Sequence, residues 1–168
     1  MKKSIAVLLI SFLLVYVSSC EKDDICVEGD TPLLVIGFFD INDTLLAKNV
    51  PALRIKEVVL DTVVNTFEDR SNLDSIGLPL RSSATSTSFV LIHNSRNNEA
   101  GEEIGNRDTL TVTYGVGEAF ISRACGFVST YDSVAVDLPE SPNNWIQDIR
   151  IVQQNFENAN NVHVKIFF

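Results

Sequence analysis

From Thr109 to Tyr114 the chain alternates polar and apolar side chains without a break, with Thr109, Thr111 and Thr113 set against Leu110, Val112 and Tyr114. Successive side chains of a strand point to opposite faces, so this two-residue period describes a strand with one buried and one wet face. The period returns at Ser133 to Leu138, with Val134, Val136 and Leu138 inward, and at Val162 to Phe168, where Val162, Val164, Ile166 and Phe168 oppose His163, Lys165 and Phe167. Leu53 to Leu60 begins the same way, with Leu53 and Ile55 opposed to Arg54 and Lys56. Strands of this kind bury their apolar faces by packing one sheet on another.

Between these segments the sequence supplies further strands and their punctuation. Leu33 to Asp40 is continuously apolar between Pro32 and the turn residues Asn42 and Asp43, as expected for a strand buried on both faces. Ser88 to His93 is another apolar strand, Val63 to Phe67 a short piece, and Glu118 to Tyr131, carrying Phe120, Cys125 and Phe127, reads as one more. Two stretches read as loops: Ser71 to Thr87, rich in serine with Gly77 and Pro79, and Asn94 to Arg107, polar with Gly101 and Gly105. Pro139 and Pro142 end a strand, and Trp145 to Gln154 satisfies either a strand or a short helix, with strand preferred. The pattern predicts an all-β fold, a single two-sheet antiparallel β-sandwich of about eight strands over residues 32–168.

The first residues are of a different kind. Lys2 and Lys3 precede an apolar run from Ile5 to Val17, and Ser18 and Ser19 stand directly before Cys20. That order describes a secretory signal peptide over residues 1–19. The run is 13 residues long, short of the roughly 20 that a spanning helix needs. Val17, Ser18, Ser19 and Cys20 resemble a lipobox, with valine where leucine is more usual. The resemblance implies cleavage before Cys20, a diacylglycerol on its thiol and an acylated amine, so that the membrane is reached through this lipid. The competing reading is an ordinary secreted protein cleaved nearby, with Cys20 left as a thiol or disulfide partner. Glu21, Lys22, Asp23 and Asp24 then open a solvated tether over residues 20–31. This acidic run resembles the export tag of Bacteroidota lipoproteins, which implies the outer face of the outer membrane; the periplasmic face is the alternative.

Removing the leader leaves 149 residues, enough for one domain with a core of its own. It also leaves 11 basic against 22 acidic side chains, a net charge of −11. Such a surface repels nucleic acid and anionic lipid, and no basic block overrides it. Of the three cysteines, Cys26 and Cys125 remain once Cys20 carries lipid. An even remainder in an exported protein favours a disulfide that would pin the tether to a central strand; two separate thiols are the alternative.

Sites of chemistry are sparse. Asp40, Asn42 and Thr44 have the opening of a calcium loop, but Leu45 occupies the glycine position and Pro51 that of the bidentate glutamate, so the segment is a turn. Gly115 and Gly117 lack the third glycine of a dinucleotide site, and no G-x-S-x-G elbow is present. His93, His163, Cys26 and Cys125 offer no short ligand spacing for zinc. No catalytic residue, metal ligand or cofactor is therefore assigned. His93 or His163 orienting a serine, with a loop carboxylate, is the basis of an alternative reading as a hydrolase of envelope polymers. Cys125, beside Arg123, would have a lowered thiol pKa if it were unpaired. An aspartate, then Ser or Thr, then an aliphatic residue occurs five times, at Thr44, Thr62, Ser75, Thr109 and Ser133. These triplets resemble the O-glycosylation acceptor of Bacteroidota exported proteins, although turns that begin strands produce the same triplet.

Cys20 with its tether, Cys26, Phe38, Phe39 and Asp40, the segment Ser122, Arg123, Ala124, Cys125, Gly126 and the closing His163, Val164, Lys165, Ile166, Phe167 together resemble an uncharacterised family of small Bacteroidota lipoproteins, a domain of unknown function. The resemblance implies no activity and no binding residues. The expectation is a membrane-anchored, non-catalytic envelope lipoprotein whose loops meet a protein or glycan partner.

Overall fold

The structure, a computed structural model, describes residue 26 and residues 31–168. The leader, Cys20 and the tether other than Cys26 and Thr31 lie outside the described residues. Ten strands form and, among the described residues, no helix: β1 Leu34–Phe39, β2 Val50–Glu57, β3 Thr62–Val63, β4 Ser71–Leu73, β5 Ser75–Leu78, β6 Ser86–Asn97, β7 Glu103–Ser122, β8 Gly126–Asp137, β9 Asp148–Ile151 and β10 Val164–Phe167. One sheet has the order β5-β1-β10-β9; the other runs β3-β2-β6-β7-β8, with β4 also paired to β2. The fold is all-β, and the two sheets share one core.

That core follows from the alternation. Residues 108, 110, 112 and 114 of β7 are buried while 109 and 113 are exposed, as a period of two requires. Leu110, Val112 and Tyr114 join Leu53 and Ile55 of β2 and Phe89 and Leu91 of β6 on the inner face of the larger sheet. Leu34, Ile36 and Phe38 of β1, Leu78 of β5 and Val164 and Ile166 of β10 complete the same cluster from the smaller sheet. Each such side chain, fully removed from water, contributes roughly 1.5–3 kcal/mol before conformational entropy is set against it. Two tyrosines fasten the β5–β6 connection over this core. The Tyr131 hydroxyl donates to the Leu80 carbonyl at 2.9 Å, and that of Tyr114 donates to the Arg81 carbonyl at 2.9 Å.

Several expectations are corrected. The sandwich is not purely antiparallel, because β1 pairs with β10 in parallel, Ile36 opposite Val164 and Phe38 opposite Ile166. Residues 71–87 are not one long loop: β4 and β5 lie there, and β5 forms an edge of the smaller sheet. Residues 94–107 are mostly strand, since β6 and β7 run on to a short turn closed by the Asn98 amide donating to the Glu102 carbonyl at 2.9 Å. Residues 118–131 are two strands joined by a turn at Arg123, Ala124 and Cys125. In the last strand His163 and Phe167, assigned to the wet face, are both about as buried as the core. β10 lies between β1 and β9, and Phe39 and Arg150 cover the Phe167 ring, so that face is dry as well.

Candidate functional site

Cys26 and Cys125 form a disulfide, with Cα atoms 4.9 Å apart. The bridge does not reach a central strand, as the sequence suggested. Cys125 ends the turn between β7 and β8, the strand at the edge of the larger sheet. The turn is built for its place: the Cys125 amide donates to the Ser122 hydroxyl at 3.1 Å, and Gly126 takes a φ of +71°, where a side chain would be strained. The chain just downstream of Cys20 is thereby held at the tip of a hairpin.

An open cleft of about 890 Å³ lies where β8 ends and the β8–β9 connection begins. Three carboxylates, Asp137, Glu140 and Asp148, line it together with the amides of Asn144 and Gln147 and the hydroxyl of Ser141. Its wall is held to both sheets. The Gln147 backbone amide donates to the Phe167 carbonyl at 2.9 Å, and the Ile146 backbone amide donates to Asp108 Oδ2 of β7 at 2.8 Å. Asp108 is almost fully buried and its Oδ1 has no hydrogen-bond partner among the described residues. Burial pushes its carboxyl above the usual range, while the Ile146 and Trp145 amides act the other way. The cleft thus combines a fixed wall with acceptor-rich chemistry, and although Asp148 is paired with Arg150 at 2.8 Å, the lining suits a partner rich in hydroxyl groups or positive charge.

Neither histidine is among the residues that line this cleft, although His93 stacks on Trp145 next to its wall. His163 Nδ1 accepts a hydrogen bond from the Val35 amide at 3.0 Å, and its ring stacks on Phe156 with centroids 4.1 Å apart. Burial lowers its pKa from the usual 6.5, which keeps the ring neutral and Nδ1 an acceptor. His93 stacks on Trp145 at 5.3 Å, with its Nδ1 3.0 Å from the side-chain amide of Asn94. Its pKa is also lowered, first by burial and then by the charge of Lys48. Neither ring takes a hydroxyl as the partner of its Nδ1. Among the described residues, no three His, Cys, Asp or Glu side chains converge as a metal site would require.

The five hydroxyls of the repeated triplet are placed apart. Thr62, Ser75, Thr109 and Ser133 are exposed and Thr44 half-exposed. Their aspartates have structural tasks as well: Asp43 accepts from the Leu45 amide at 3.2 Å, Asp61 pairs with Lys56 at 2.7 Å, and Asp74 accepts from the Ser75 hydroxyl at 3.2 Å. Asp108, the first residue of the fourth triplet, supports the cleft wall. Sequence reading missed the cleft and the role of Asp108; Pro139 and Pro142 marked only the end of a strand.

Comparison with known families matches residues 52–168 to a family of unknown function (DUF6452). The chain belongs to this family. No curated protein and no solved structure matches it. The DUF6452 match begins inside β2, so it contains Cys125, the cleft and both histidines but neither Cys26 nor β1. The folded unit nevertheless extends further toward the N-terminus than the DUF6452 region, because β1 fills the place between β5 and β10.

Proposed function

We propose that this protein is a non-catalytic envelope lipoprotein, held in the outer membrane by lipid on Cys20, whose β-sandwich presents the acidic cleft to a glycan or protein partner. The observation that carries the reading is the disulfide six residues downstream of Cys20, joining the tether to the domain. Paired cysteines are characteristic of oxidising, exported environments, which agrees with the leader and the lipobox-like residues. The Asp137 and Glu140 carboxylates of the cleft favour a hydroxyl-rich or basic ligand over an anionic one. Leaving catalysis out is supported by His163, whose buried ring is fixed between the Val35 amide and Phe156.

Replacing Cys20 (Cys20→Ser) moves the protein from the membrane to the soluble fraction; membrane retention of that variant overturns the anchored reading. Added protease degrades the wild-type protein on intact cells if the acidic tether directs it outward, and only on opened cells if it faces the periplasm. Pull-down of the lipidated protein from native membranes recovers a specific partner, lost when Glu140 and Asp148 are both changed to lysine. Recovery of bulk envelope protein alone, unchanged by that substitution, counts against a binding role. Glycan on Thr44, Thr62, Ser75, Thr109 or Ser133 is part of the proposal, and an intact mass equal to the bare lipidated polypeptide removes it.

A further inference from the structure

The β7–β8 hairpin runs out beyond the rest of its sheet. β6 last pairs with β7 at Thr113, and the Tyr131–Phe156 bridge is the last contact flanking β8 toward the turn among the described strands and bridges. From Gly117 to Ser122 the arm continues for six residues, about 20 Å at strand rise. An arm leaving a sandwich should be polar along its length, since water surrounds it. This one carries Phe120 at 58% and Phe127 at 67% exposure, paired edge to face with centroids 5.4 Å apart, and Ile121 at 40%. Between Glu118 and Asp132 there is no carboxylate, in a mature chain of net charge −11. The one charge in that stretch is Arg123, exposed in the turn itself.

We propose that this tip inserts into the interface of the bilayer that holds the Cys20 lipid, and so orients the domain on the membrane. The proposal rests on the lipoprotein reading. Its geometry comes from the disulfide: Cys26 is six positions from Cys20, an extended chain spans at most ~3.6 Å per residue, and the Cys125 Cα is 4.9 Å from that of Cys26, so Cys125 lies within roughly 27 Å of the acylated residue. Phe127 is two residues from Cys125. Aromatic rings with free edges partition to the boundary of headgroups and acyl chains, and an arginine among them extends its guanidinium toward phosphate while its methylenes stay with the apolar groups. Because the tether is itself acidic, the attraction is apolar first, and zwitterionic lipid suffices.

The test uses the mature, lipidated protein in phosphatidylcholine vesicles, with Phe127→Trp as the reporter. Trp145 is buried in the core and serves as a constant background. Leu45→Trp, in the exposed loop after β1, is the control: β2 starts there, at the opposite end of the larger sheet from the tip. The expected result is a blue-shifted emission at position 127 that is quenched by lipids brominated in their acyl chains, with no quenching at position 45. Acylated, vesicle-bound protein whose position 127 stays unquenched overturns the proposal alone. A blue shift without quenching also overturns it, and assigns the tip to a contact with a second copy. Protein that mass measurement shows to lack acyl chains overturns the anchored reading and this proposal with it.

Discussion

His163 behaves as a piece of backbone. Its ring Nδ1 accepts from the Val35 amide while its own amide donates to the Val35 carbonyl at 2.9 Å, so one residue supplies both halves of a ladder step. A proton on Nδ1 would destroy the first of these bonds. With its folded pKa below 6.5, this group binds protons more readily in the unfolded chain. Its stabilising arrangement is complete above pH 6.5 and is lost as pH falls through the lower folded value; His93 acts in the same sense. Urea midpoints should therefore fall between pH 7.5 and pH 5.5, and His163→Asn, whose Oδ1 can still accept from Val35, should flatten that slope. Equal slopes in the two proteins would show that the histidine is not responsible. Comparison with the variant also separates His163 from Asp108, whose raised carboxyl works in the opposite sense. Asp108→Asn keeps an acceptor for the Ile146 amide without a buried charge, and its stability should stay close to that of the wild type. Asp108→Ala leaves buried amides unpaired and should cost about 1–3 kcal/mol in chemical denaturation.

At the level of the elements, the longer strands were legible, β1 from its continuous apolar run included, while the faces of covered strands and the shortest strands were not. β7 displayed its period because Thr109 and Thr113 face solvent. β10 alternates as well, but both its faces are covered, so its alternation carried no information about which side is dry. β4 and β5 are three and four residues long, and among serines they read as a loop. Gly126 was the available signal that residues 118–131 contain a turn, because its left-handed φ sits immediately after Cys125. The position of that turn changes what the disulfide does. Neither half-cystine belongs to the core cluster, although the bridge closes a separation of 99 residues. Changing both cysteines to serine should leave the near-ultraviolet spectrum of the sandwich in place and lower stability by no more than the ~4–5 kcal/mol that loop entropy allows. Loss of native signal in the double variant would show that the bridge is needed to form the core.

For the whole molecule, composition and periodicity indicated two packed sheets, while the order of strands followed from contacts that no local pattern records. The acidic cleft was hidden for the same reason: β8, the connection after it and β9 build it jointly, and Asp108 supports it from β7. The pairing of β1 with β10 makes the early and late parts of the chain mutually dependent, Gly37 lying opposite Lys165. A chain ended after Asn161 should lack a stable core, observed as loss of the near-ultraviolet spectrum; a folded truncation would mean that β1 and β5 hold without β10. If the chain is exported, as proposed, this dependence also bears on secretion. Distant pairings form slowly, because the intervening loop must close before any contact rewards it. While residues 164–167 are still inside the cell, β1 has no partner on one side, and the smaller sheet cannot close over the larger one. A sandwich completed only by its final strand would remain threadable through a translocation pore until nearly all of it has crossed, with the topology itself delaying folding to the far side of the membrane.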